Sequence, residues 1–152
     1  MRVVLLSILL LVELLCVFKP AREIDNELGP YVSNYLDLVK EECPRVSLPR
    51  QVIIKFSKLP SGVMAWCVPR PAGFKIEINE ETWGFETVEG RYSLVVHELS
   101  HCVLGLPHSQ DEYNYMYYND KNDLHPEIVD IQLRKDAKDF CKKRGFRESI
   151  RF

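Results

Sequence analysis

The sequence predicts an α+β fold, and three observations carry that expectation. Two short stretches, Gln51 to Lys58 and Phe74 to Asn79, alternate apolar and polar residues. That is the pattern of strands with one buried face. A longer stretch from Thr87 to about Leu104 repeats its apolar residues at helical spacing. Two further helical stretches flank these, one from about Ile24 to Glu42 and one starting at Pro126.

At 152 residues, of which 46% are hydrophobic, the chain fits one domain with a real core. A net charge of −2 gives no electrostatic footprint for a nucleic-acid partner. The basic run Lys142, Lys143, Arg144, Arg147 and Arg151 reads as a solvated helix end and tail. At the other end, Arg2 precedes an apolar run from Val3 to Phe18, broken by Glu13 and closed by Lys19-Pro20. A membrane span needs about 20 residues, so the run is short for one and suits a secretory leader. Its cleavage site is poor, because Lys19 stands where a small residue is preferred. Residues 1–21 are therefore expected to be a signal peptide or a membrane anchor, and 22–152 a single domain. The protein is expected to be exported and monomeric, touching a membrane only through that segment if it stays uncleaved.

Four cysteines follow the leader: Cys43, Cys67, Cys102 and Cys141. An even number in an exported chain suggests two disulfides with three possible connectivities, against the plainer reading of four buried thiols. Cys43 ends the first helix and Cys141 lies in the last. Cys102 points towards the sheet that carries Cys67. The expected pairs are Cys43 with Cys141 and Cys67 with Cys102.

Taken in order, the first helix carries Tyr31, Tyr35, Leu36, Leu38 and Val39 as a loose stripe, and Cys43-Pro44 ends it. Pro49 introduces the first strand, where Val52, Ile54 and Phe56 share a face. Leu59-Pro60-Ser61-Gly62 is a turn. Val63 to Val68 is a second strand, broken by Pro69, Pro71 and Gly73. Phe74 to Asn79 is the third. Glu80 to Glu86 is a loop or single turn carrying Trp83. Thr87 is a fair helix cap, and Gly105 can take the left-handed conformation that ends the helix. Residues 109 to 118 are polar, aromatic and irregular. The last helix starts at Pro126 and ends near Gly145, burying Ile128, Ile131, Ala137 and Phe140.

The central helix carries His97-Glu98-Leu99-Ser100-His101, followed by Gly105 and His108. His97 and His101 stand one turn apart on the same side, so both imidazoles can reach one metal ion. Glu98 lies about 100° further round, from which its carboxylate can reach a water on that metal. A catalytic zinc typically takes three protein ligands and leaves a fourth position for water, and His108 is the nearest third candidate. Two chance histidines on a surface helix would be the bland reading. The helical wheel argues against it. Tyr92, Val95, Val96, Leu99, Cys102, Val103 and Leu106 form one apolar stripe. Leu94, His97, Glu98, His101 and Gly105 fall opposite, expected to face a cleft or solvent.

From these residues the chain resembles a metzincin, most closely a shortened matrixin catalytic domain, and it is similar to small metallopeptidases of bacteria and phages. Val52 to Phe56 resembles the first matrixin strand. Phe74 to Trp83 resembles the strand before the active-site helix and its acidic loop. His97 to Ser109 resembles the zinc motif, Tyr115-Met116-Tyr117 the methionine turn, and Leu124 to Gln132 the start of the closing helix. The match covers roughly residues 30 to 132. It implies a small mixed sheet, an active-site helix, a methionine turn and a closing C-terminal helix. It also implies a Zn²⁺-dependent endopeptidase acting on a peptide or protein substrate. His97, His101 and His108 would be the ligands, Glu98 the general base and Met116 a packing residue under the metal. Tyr118 stands two residues after Met116, where astacins carry a tyrosine that helps stabilise the oxyanion. An edge strand, from Val63 to Val68, would pair with extended substrate.

The chain departs from the H-E-x-x-H-x-x-G-x-x-H pattern in one place. Cys102-Val103-Leu104 puts three residues, not two, before the glycine. The expectation is that Gly105 re-aims the turn, with Pro107 stiffening the approach, so that His108 still reaches the metal. Four alternatives stay open: a gluzincin with Glu127 as third ligand, a deformylase-like site using Cys67, a three-histidine endoribonuclease, and a non-catalytic zinc-binding module.

Overall fold

The computed structural model describes residues 22–117 and 124–149, with side chains to residue 144. The architecture is mixed α+β. In chain order it runs β1 (Arg22–Ile24), α1 (Gly29–Glu42), β2 (Gln51–Ser57), β3 (Ala65–Arg70) and β4 (Gly73–Asn79). A short α2 (Glu80–Trp83), the central α3 (Val88–Leu99), a π-helical segment (Ser100–Leu104) and α4 (Pro126–Ser149) complete it.

The sheet has the order β1-β2-β4-β3. β1, β2 and β4 run parallel, and β3 runs antiparallel to β4 at one edge. The alternation read from the sequence is realised. Val52, Ile54, Phe74, Ile76 and Ile78 are buried and join one core cluster with the helices. β4 approaches β2 so closely that a Cβ on Gly73 would lie 1.7 Å from the Gln51 carbonyl oxygen. Only glycine fits there.

Several boundaries differ from the expectation. The first helix, expected from about Ile24, starts at Gly29, and Arg22–Ile24 is a strand paired in parallel with β2. β3 runs on through Pro69 to Arg70. Proline is tolerated there because β3 is an edge strand, where a missing N–H can face away from the ladder. α4 continues past Gly145 to Ser149.

The larger correction concerns α3. Its supposed open face is covered over its first part, where Leu94, His97 and Glu98 are buried like Val95, Val96 and Leu99, while His101 is half-buried and Gly105 exposed. The sheet lies on one side through β3, and α1 and α4 pack on the other. Tyr92 ties the three helices together. Its hydroxyl donates to Asp130 of α4 and accepts from Asn34 Nδ2 of α1 at 3.1 Å. Arg134 of α4 also pairs with Glu41 of α1.

Both expected disulfides are present. Cys43–Cys141 joins the end of α1 to α4, and Cys67–Cys102 joins β3 to the π segment. Among the described residues no helix is long and apolar enough to cross a membrane. The expected leader, residues 1–21, lies outside the described residues.

Candidate metal centre

Thr87 opens α3 with extended backbone, its hydroxyl accepting from the Gly90 N–H at 2.9 Å. Twelve residues of regular α-helix follow, ending at Leu99. The chain then widens into a π turn over Ser100–Leu104, closed by the Gly105 N–H donating to the Ser100 carbonyl. Gly105 leaves the helix in the left-handed conformation, φ 67°. The residue that exceeds the usual spacing is therefore taken up inside the helix. A π turn holds one more residue than an α turn. Gly105 ends the helix as expected but does not itself absorb the insertion.

This arrangement brings His97, His101 and His108 together, their ligand atoms all within 4.8 Å of one another. The rings are packed edge to face or tilted, with centroids 4.6 to 5.2 Å apart. His97 is buried, His101 half-buried and His108 exposed, so the site opens to solvent on the His108 side.

Two of the three rings have their tautomers set by backbone carbonyls. His97 Nδ1 lies 2.9 Å from the Tyr115 carbonyl oxygen, and His101 Nδ1 lies 2.6 Å from that of Leu106. A carbonyl only accepts, so each Nδ1 carries the proton and each Nε2 presents a lone pair. Those two Nε2 atoms stand 3.0 Å apart. Two lone pairs this close repel unless a cation lies between them. Metal–nitrogen bonds of about 2.0–2.1 Å at tetrahedral angles separate two ligand nitrogens by roughly 3.3 Å, close to what is seen. The donor set thus fits a metal ion. Burial, with the neighbouring His101 and His108 rings adding to it, pushes the His97 pKa down to about 4 against the opposing Tyr115 carbonyl. Burial also lowers that of His101. Both favour the neutral imidazole that binds metals.

The supports of the site come from the loop after His108. The Ser109 N–H donates to the Met116 carbonyl at 2.7 Å, which fixes the chain just beyond the third histidine. Tyr115 and Met116 are both buried. Gln132 of α4 braces this loop twice: Oε1 accepts from the Tyr115 N–H at 2.9 Å, and Nε2 donates to the Tyr113 carbonyl at 2.8 Å. The Tyr115 hydroxyl donates to Asp136 Oδ2 at 3.1 Å. Sequence reasoning missed Gln132 and Asp136 as supports. Their spacing of one helical turn on a polar face of the last helix was the available signal.

Comparison with protein-family models, curated proteins and solved structures finds no match.

The site's chemistry is therefore read from its own donor atoms. Glu98 follows the first histidine and is buried beside it at 6% exposure. Two rival third ligands are excluded by position. Cys67 is spent in the disulfide with Cys102. The Glu127 side chain is 84% exposed, 4.0 Å from His125 rather than among the three histidines. Tyr118, expected to help stabilise an oxyanion, lies outside the described residues.

Proposed function

We propose that this protein is an exported zinc endopeptidase of metzincin-like design. The carrying observation is the convergence of three imidazoles on one point, with the buried Glu98 directly adjacent to the first. His97, His101 and His108 would hold Zn²⁺. A zinc ion held there supplies the Lewis acidity that lowers the pKa of a water and polarises a peptide carbonyl. Glu98 takes the proton of the attacking water and hands it to the leaving amine. The Tyr115 and Leu106 carbonyls keep the two helical imidazoles oriented while this happens. Met116 would pack below the histidines, and Tyr118 would steady the oxyanion. β3 sits at a sheet edge, where an extended peptide can add as a further strand. Two disulfides in so short a chain support the reading of the leader as an export signal.

The test is a metal assay paired with a cleavage assay. The purified domain should carry one zinc per chain and cut a peptide library, and chelation should stop the cutting. A zinc-loaded protein that cuts no peptide in the library would remove the peptidase reading and leave a metal-binding module.

A further inference from the structure

The two disulfides differ in what they hold. Cys43–Cys141 closes α1 onto α4, between elements that carry none of the three histidines. Cys67–Cys102 fastens the edge strand β3 to the residue directly after His101, inside the π turn. That turn is the least ordinary piece of backbone near the site. π turns occur mostly as single-turn bulges, because their wide hydrogen-bonded ring is poorer than the α-helical one. Here the turn is needed. Three residues lie between His101 and Gly105, and the chain must leave the helix where His108 can meet the other two rings. If the segment relaxed to regular α-helix, the exit of the chain would shift by one residue, a rotation of about 100° in all around the axis. His108 would move away from His97 and His101.

From these positions we infer that the Cys67–Cys102 cross-link is a positioning element of the metal centre. It pins the middle of the π turn to the sheet and so fixes the exit of the chain towards His108. Other contacts serve the same turn. The Leu106 N–H donates to the Ser100 carbonyl at 3.3 Å, the Leu106 carbonyl faces His101 Nδ1, and Leu104 is buried. Beyond the helix and its exit loop, the turn meets the Tyr115 hydroxyl, hydrogen-bonded to Ser100 Oγ at 3.3 Å, and the core through Leu104. The disulfide alone anchors the turn covalently to another element. The inference rests on the three-histidine metal reading and adds a dependence of that site on one bond.

The pair Cys43–Cys141 is the built-in control. It closes the longer loop, 98 residues against 35, so its loss removes the larger constraint on the unfolded chain. A metal effect that followed general stability would therefore be larger for C43S/C141S. Zinc affinity is measured by competition with a chromogenic chelator on the intact domain, and site symmetry by the visible spectrum of the Co²⁺ form. In C67S/C102S, affinity should fall by about tenfold or more, the range for groups that orient metal ligands. The Co²⁺ spectrum should lose its tetrahedral intensity. In C43S/C141S both should stay near wild type despite a lower melting temperature. Deleting Val103 removes the surplus residue and the need for a π turn. In that background the C67S/C102S change should leave affinity within about twofold of its own parent, even if the same change in the full-length chain prevents folding. Wild-type affinity in C67S/C102S, an equal fall in both disulfide variants, or a tenfold fall in the Val103-deleted background overturns the inference. Failure of the wild-type protein to bind zinc would overturn the metal reading itself.

Discussion

Tyr115 holds His97 by its backbone and is itself held by its side chain. Its carbonyl oxygen lies 2.9 Å from His97 Nδ1, while its hydroxyl donates to Asp136 on α4. α4 thus acts on the three-histidine group through one residue of the intervening loop. Gln132 grips the backbone just before the same carbonyl, at the Tyr113 oxygen and the Tyr115 nitrogen.

Gln132→Ala should therefore weaken zinc binding without touching a ligand. It removes two hydrogen bonds that fix the Tyr115 carbonyl, and zinc affinity should fall by roughly tenfold. Chelator competition on the folded variant measures it. Unchanged affinity would show that the loop is held well enough by Asp136 and by the Asn114 side chain, whose Oδ1 accepts from the Met116 N–H at 2.8 Å.

Glu98→Gln should separate chemistry from binding. The amide keeps the size of the side chain but cannot take a proton. Turnover should fall by about 10²–10⁴-fold, with one zinc per chain retained. Loss of the metal in this variant would make Glu98 a ligand, against the role proposed for it.

Gly73→Ala tests the closest strand approach in the sheet. A methyl group there meets the Gln51 carbonyl at 1.7 Å, contact with rigid backbone rather than a flexible side chain. The parallel β2–β4 pairing must shift, and the loss should exceed about 2 kcal/mol. Urea unfolding of the variant beside wild type gives the number.

Glu77 should make the fold sensitive to acid. Burial alone would raise its pKa. Hydrogen bonds from Lys75, Ser57 Oγ at 2.7 Å and Trp66 Nε1 at 3.0 Å outweigh that and hold the carboxyl down at about 2. An unfolded glutamate titrates near 4.3. The folded state binds the proton less readily, so the stabilisation is complete above the unfolded value. It fades as pH falls through the window from about 4 to 2. Glu77→Gln should lower the melting temperature by roughly 3 °C at pH 7. Its melting temperature should also depend less on pH across that window than the wild type's. Parallel profiles for the two proteins would mean the pairing contributes nothing.

Legibility in the sequence followed the range of the interactions involved. Local patterns carried far. The alternation in Phe74 to Asn79, the Thr87 cap and the left-handed Gly105 are each decided by a few neighbouring residues, and each stands as expected. The three histidines come together because two of them are fixed by helical spacing. The disulfide pairs were readable once each cysteine had a helix or strand to sit on. What was hidden depends on partners distant in the chain. Arg22–Ile24 becomes a strand only because β2 offers a free edge, and three residues carry too little pattern of their own. Leu94 and Glu98 looked exposed because a helical wheel shows one face against another, not a helix enclosed on both sides. The π turn was invisible for a related reason. Its residues, Ser100 to Leu104, have ordinary helical preferences, and the extra width is imposed by where His108 has to arrive.

The bond between Cys43 and Cys141 decides what a backbone cut does to the molecule. Nearly the whole domain, including the metal loop and the segment that leads into α4, lies between those two residues. A backbone cut anywhere in that interval leaves the fragments joined as one molecule. A nicked chain would keep its mass on a non-reducing gel and separate only when thiol is added. Where proteases are present, damage to an exposed loop need not disperse the fold, and the nick would show only after reduction.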